Sequence, residues 1–203
     1  KFGQASRKKS VRAVPIKIVG QIMKVTPLKI TDVKLIEPEI YEDERGFFFE
    51  LYNQKKIEDI LEKKISFSQD NFSFSKKNVL RGLHFQENEP QAKIVSVLNG
   101  RILDVAVDIR KDSKTFLSYV SVEISSSTRQ SIFIPEGFAH GFLVLSDYAE
   151  VQYKVSAPWN KELERTIRWN DELINILWPE IEGEIILSSK DKNAPSLSNV
   201  LEL

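Results

Sequence analysis

The chain contains no cysteine. Disulfides, thiolate metal sites and a cysteine nucleophile are thereby excluded. A reducing, intracellular location is compatible with that absence, and a cytoplasmic protein is expected. Histidine is scarce as well: among 203 residues there are only His84 and His140. They lie far apart and form no H-x-H pair, so the clustered imidazoles of a typical jelly-roll metal site are missing, and no metal is expected. No apolar run approaches the roughly 20 residues that cross a bilayer as a helix, so no membrane partner is expected. The formal net charge is +0, with no general surplus of positive charge for a phosphate backbone. There is no internal repeat and no low-complexity segment.

The zero balance hides an asymmetry. Residues 1–22 carry Lys1, Arg7, Lys8, Lys9, Arg12 and Lys17 and no acid, so the rest of the chain is mildly acidic. The first residue is not methionine, and the sole methionine is Met23, which opens "MKVTPLKITDV". Residues 1–22 therefore read as an added leader, poorly ordered, with the native start near Met23. The rival reading is a basic arm for nucleic acid or an anionic membrane. It is the weaker one, because "VPIKIVGQI" is neither amphipathic nor dense in charge, and no nucleic-acid partner is expected. The length from Met23 onward suits a single domain, residues 23–203, with a substantial core.

What is present is mostly β pattern. "ITDVKLIEPEIYEDERGFFFELYN" reads as strand, turn, strand, with "DERG" as the turn. "NQKKIEDILEKKI" places Ile57, Ile60, Leu61 and Ile65 at helical spacing and predicts a helix over 53–65. From "SFSQDNFS" onward come short β segments and turns. In "AKIVSVLNGRILDVAVDIR", Asn99-Gly100 suits a type I′ turn and predicts a hairpin. Three or four further strands follow up to "QYKVSA", and "DELINILW" reads as a short helix or a turn. Many short strands without βαβ alternation predict a mainly β, antiparallel sandwich or barrel with few helices. "ILDVAVDI" and "GFLVL" are apolar on both faces. They suit a closed jelly roll, or a sheet covered by a second sheet or a partner subunit.

In "NVLRGLHFQ", alternation sends His84 and Gln86 to one face with Leu80 and Gly82. A desolvated histidine there has two readings. It is either a core side chain bonded to a backbone carbonyl, or an acid–base group tuned by a neighbouring charge. Around it stand Lys93 at the head of "KIVSV", Tyr153 on the same face as Val151 and Val155, and His140 between Phe138 and Phe142 on its own face. Arg45 and Glu50 follow from "DERGFFFE". Each has a bland reading as surface charge or core aromatic. Together they form a cationic, hydroxyl-bearing lining suited to the mouth of a barrel.

Longer stretches carry a resemblance. "DERGFFFE", "QDNFSFSKKNVLRGLHFQ", "KIVSVLNGRILDVAVDIRKDSKTF", "IPEGFAHGFLVLSDYAEVQYK", "RWNDELINILWP" and "LSSKD" occur in order from about residue 28 to about 195. In these the chain resembles the dTDP-4-dehydrorhamnose 3,5-epimerases. The resemblance implies a jelly-roll barrel of the cupin type, a homodimer, and a cofactor-free, metal-free reaction on dTDP-4-keto-6-deoxyglucose. It implies His84 as base, Tyr153 as acid on the opposite face, and Asp191 of "SSKD" as the carboxylate orienting His84. Lys93 would stabilise the enolate oxygen. It implies substrate contacts at Arg45, Glu50, Gln69, Asn71, Arg81, His140, Glu164 and Lys190.

The chain departs from the family's pattern in two places. Pro158-Trp159 stands where the family often has paired tyrosines that help seat the substrate, and Asn175 replaces a usual glycine. The first departure keeps alternatives open: an epimerase acting at C3 or C5 alone, or on another nucleotide-linked 4-keto sugar. A non-catalytic nucleotide-sugar binder is the alternative from another class.

Overall fold

The computed structural model describes residues 23–202, so the leader expected at residues 1–22 lies outside the described residues. A six-stranded sheet runs in the order β1 (Lys24–Pro27), β2 (Lys34–Glu37), β10 (Ser131–Ile134), β7 (Lys93–Asn99), β12 (Tyr148–Val155) and β5 (Gln69–Lys76). A five-stranded sheet runs in the order β13 (Glu164–Thr166), β6 (Leu80–Gln86), β11 (Phe138–Val144), β8 (Arg101–Asp108) and β9 (Tyr119–Ser125). Strands β3 (Ile40–Asp43) and β4 (Gly46–Phe49) form a hairpin of their own. Three short helices, α1 (Gln54–Leu61), α2 (Ser189–Lys192) and α3 (Leu197–Leu201), complete the described residues. Every paired strand in these sheets is antiparallel, and the result is the expected mainly β jelly roll.

The two large sheets face each other across a core of Val95 and Val97 (β7), Ile102 and Ala106 (β8), Phe138 and Phe142 (β11) and Val151 (β12). The outer side of the five-stranded sheet is buried too. Val105, Val107 and Ala139 pack there against Ile167, Ile174 and Leu197 from the C-terminal segment. That second layer explains why "ILDVAVDI" and "GFLVL" are apolar on both faces: β8 and β11 have no solvated side. On the outside of the six-stranded sheet, Ile57 and Ile65 cover Ile36, Ile94 and Phe133.

Helix α1 begins where the Asn53 side chain accepts a hydrogen bond from the Lys56 N–H at 3.2 Å. It ends earlier than its apolar spacing predicts, because Glu62 takes a left-handed conformation at φ 52°. The predicted "DERG" turn is found between β3 and β4. "DELINILW" is a turn rather than a helix, and Asn175 sits in it at φ 51°. Asparagine tolerates that region far better than most residues, so the position is compatible with the left-handed backbone it adopts.

The predicted hairpin at Asn99-Gly100 is not formed. Strand β7 pairs with β10 and β12, whereas β8 pairs with β11 and β9 in the other sheet. Only Gly100 takes a positive φ, 82°, while a type I′ turn needs two such residues. The pair turns the chain from one sheet into the next. Burial on both faces of β8 outweighs local pairing with β7.

Candidate active site

The inner faces of β5, β6, β7, β12 and β13 converge on a cavity of about 330 Å³. Strand β6 brings His84 and Gln86 to it, as alternation predicts; Leu80 and Gly82 lie across a register irregularity in the β6–β11 pairing, where the alternation is interrupted. Lys93 enters from the first residue of β7, Tyr153 from β12, Gln69 and Asn71 from β5, and Glu164 from β13. Phe85, Gln91 and Trp159 also line the cavity.

His84 is the centre of the charge arrangement. Its Nε2 lies 2.5 Å from the Asp191 Oδ1. Asp191 is almost fully buried, and its other oxygen accepts from the Ser188 hydroxyl at 2.8 Å. Ser188 caps α2 and accepts from the Asp191 N–H, so the short helix fixes the carboxylate. With Nε2–H donated to Asp191, the lone pair of the imidazole is carried by Nδ1. Burial pushes the His84 pKa below its ordinary value, and the Asp191 carboxylate opposes that only in part. The imidazole is therefore neutral near pH 7 and able to accept a proton. Burial alone would raise Asp191, but the bonds from His84 and Ser188 bring its pKa below the usual carboxylate range.

Lys93 is buried, and burial lowers its pKa to about 8 against the pull of Asp104 and Glu164. A largely desolvated ammonium of this kind interacts strongly with any oxyanion formed beside it. Tyr153 is half-buried; burial raises its pKa above the ordinary phenol value, so its hydroxyl keeps its proton. Glu164 pairs with Lys190 at 3.0 Å at the rim.

The remaining predicted contacts lie elsewhere. His140 faces His84 across the β6–β11 pairing, but its Nε2 donates to the buried Asp104 at 2.8 Å, and it does not line the cavity. Arg81 is exposed and donates to the Ser75 hydroxyl and the Phe74 carbonyl. Arg45 is bound to Asp43 in the β3–β4 turn and lines a separate surface hollow, and Glu50 pairs with Lys56. Within one chain, then, the cavity gathers His84, Lys93, Tyr153, Gln69, Asn71 and Glu164, with Asp191 and Lys190 in direct contact with two of them. It does not gather Arg45 or Glu50. Asp104 was not singled out from sequence; the signal for it is an acid inside the apolar run "ILDVAVDI". Among the described residues no group of three or more carboxylates and imidazoles lies close enough to hold a metal ion.

A histidine–carboxylate pair, a buried lysine and a protonated tyrosine around one cavity define a jelly-roll protein equipped for proton transfer. The family model for dTDP-4-dehydrorhamnose 3,5-epimerase matches residues 27–199. A dTDP-4-dehydrorhamnose 3,5-epimerase from Salmonella typhimurium is 50% identical over 181 residues, covering 89% of this chain and 98% of that protein. The structure of a dTDP-6-deoxy-D-glucose-3,5-epimerase from Legionella pneumophila, in complex with dTDP-4-keto-L-rhamnose, superposes with a TM-score of 0.84. It is 45% identical and covers 89% of this chain and 94% of that one. A 3′-monoepimerase from Streptomyces bikiniensis, in complex with dTDP-quinovose, reaches a TM-score of 0.80 at 30% identity, covering 87% and 90%. The chain belongs to the dTDP-4-dehydrorhamnose 3,5-epimerase family, a family of isomerases.

Proposed function

We propose that the segment from Met23 onward is a single catalytic domain that inverts C3 and C5 of dTDP-4-keto-6-deoxyglucose without a cofactor. The observation that carries this reading is the His84–Asp191 pair opening on the same cavity as Lys93 and Tyr153. A C4 ketone acidifies the protons on C3 and C5. His84 removes one, and the pair with Asp191 stabilises the imidazolium that results. Charge then develops on the C4 oxygen, where the Lys93 ammonium opposes it. Tyr153 returns a proton to the opposite face, and the centre is inverted. Gln69, Asn71, Glu164 and Lys190 contact the nucleotide sugar, and Arg81 and His140 support it from the neighbouring strand positions. Arg45 and Glu50, remote from the cavity of their own chain, serve the substrate in a homodimer.

The test is deuterium uptake from heavy water into dTDP-4-keto-6-deoxyglucose, followed by proton NMR. Loss of both the C3 and C5 signals is expected. No exchange, with dTDP still bound, would leave a binding protein in place of an enzyme. A second reading, inversion at one centre only, is favoured by Pro158-Trp159 beside the cavity; exchange at a single carbon would establish it.

A further inference from the structure

Residues 156–163 link β12 to β13 and carry Trp159 to the edge of the cavity. This link has little apolar anchorage: Pro158 and Trp159 are both exposed, and no buried core residue lies within it. Its ends are tied by backbone bonds, Ser156 N–H to the Ala92 carbonyl and Glu87 N–H to the Leu163 carbonyl, and between them three glutamine side chains from three different places in the chain hold its backbone. The Gln69 Oε1 accepts from the Trp159 N–H at 2.9 Å. The Gln91 Nε2 donates to the Ala157 carbonyl at 2.8 Å. Gln86 does more. Its Nε2 donates to the Pro158 carbonyl at 3.1 Å, and its Oε1 accepts from the Asn160 N–H at 2.8 Å. One carboxamide thus grips the chain on both sides of Trp159, as a paired strand would. Gln86 is 4% exposed and spends its other amide hydrogen on the Glu89 carbonyl. A buried amide with its hydrogen-bonding atoms committed in this way has one stable orientation.

We propose that Gln86 and Gln91 are positioning residues that fix Trp159 as one wall of the ligand site, so that affinity for the nucleotide sugar depends on them through the indole. The inference rests on the reading of the cavity as a nucleotide-sugar site. Gln86 sits two residues after His84 on the same strand face, so one strand sets both the proton acceptor and the wall that locates the ligand. An exposed indole on a freely moving link would lose ordering entropy on every binding event; a latched one is preorganised.

The test uses Gln86→Met, which keeps the side chain's shape and removes its hydrogen bonds, and Gln91→Met. Binding of dTDP is measured by calorimetry, turnover by the same NMR assay, and the state of Trp159 by its fluorescence. Trp169 and Trp178 pack against each other elsewhere, so Trp159→Phe identifies the cavity signal. In Gln86→Met the affinity for dTDP is expected to fall about tenfold, with KM rising more than kcat falls. The decisive readout is coupling. In a Trp159→Ala background, Gln86→Met should cost less than about twofold more, because the group it positions is gone. Full additivity, or a Gln86→Met protein that binds dTDP as the wild type does, would overturn the proposal. If Gln86→Met fails to fold, Gln91→Met is read by the same coupling and the same outcomes decide. A wild-type protein that does not bind dTDP overturns the functional reading and this inference together. A wild type that binds, with variants that bind equally, overturns this one alone.

Discussion

His84 and Lys93 are both largely withdrawn from water, and the same burial acts on them with opposite consequences for catalysis. In His84 it favours the neutral form, which is the form a base needs. In Lys93 it favours the neutral form too, which is the form an oxyanion stabiliser must avoid. The proposed roles therefore impose a bell-shaped pH profile on kcat/KM. The acid limb reports protonation of His84 and lies below pH 6.5, because burial lowers that pKa. The basic limb reports loss of charge from Lys93 at about 8. Tyr153, raised above the ordinary phenol value, cannot set a limb there. Asp191→Asn removes the charge that opposes burial and leaves at most a neutral acceptor for the His84 Nε2–H, so the acid limb moves to lower pH while the plateau drops. Lys93→Gln abolishes the basic limb near 8. A profile flat from pH 5 to 9 in the wild type would refute both assignments. Replacing His84 by Ala should lower turnover about a hundredfold to ten-thousandfold while dTDP affinity measured by calorimetry stays near wild type. Tyr153→Phe should still exchange substrate protons with solvent but should impair inversion, and inversion at the wild-type rate would remove tyrosine from the acid role. His84, Lys93 and Tyr153 stand out in the sequence as polar groups inside apolar strands, whereas Asp191 of "SSKD" and the roles of all four come only from the family resemblance. What no spacing shows is that His140 spends its Nε2 on Asp104: that pairing depends on two strands meeting at one register.

The connection at Asn99-Gly100 shows where local pattern loses to burial. Two β-rich runs joined by Asn-Gly carry a strong short-range hairpin signal. Yet β7 and β8 each find better partners in different sheets, and the glycine serves as a corner. Its positive φ is one requirement. The other is space, since a Cβ at Gly100 would lie 2.1 Å from the Tyr148 carbonyl oxygen. Gly100→Ala is therefore expected to destabilise the protein by about 2 kcal/mol or more. The midpoint of urea unfolding checks it, and an unchanged midpoint would mean the corner is not strained. Strand existence, by contrast, was well marked: the four strands from β9 to β12 lie within the expected stretch, because alternation and apolar runs are written residue by residue. Which sheet a strand joins is written nowhere locally. It is settled by which faces can be buried together, and α1 stops at Leu61 for a similar reason, a backbone turn at Glu62 that apolar spacing does not encode.

Across the whole molecule, one surface has the wrong polarity for solvent. Strand β5 ends the six-stranded sheet, and along it the outward residues are Phe72 and Phe74, while Ser75 faces in. Phe74 stacks on Tyr148 of the neighbouring β12 at 5.4 Å, and the stack is left half in water. On the separate hairpin, Tyr41, Phe47 and Phe48 are exposed as well. A long, open antiparallel edge bearing aromatic side chains is a template for association unless something covers it. The reading that answers both this surface and the distant Arg45 and Glu50 is a homodimer, in which a second copy buries the aromatics. Sedimentation equilibrium at micromolar concentration is then expected to return twice the chain mass. Phe72→Asp combined with Phe74→Asp should shift the protein to monomer while leaving a cooperative thermal transition, since neither side chain belongs to a buried cluster. If the wild type sediments as a monomer at tens of micromolar, the aromatic face has no second copy to meet. Arg45 and Glu50 would then have no route to a cavity from which their own chain holds them apart.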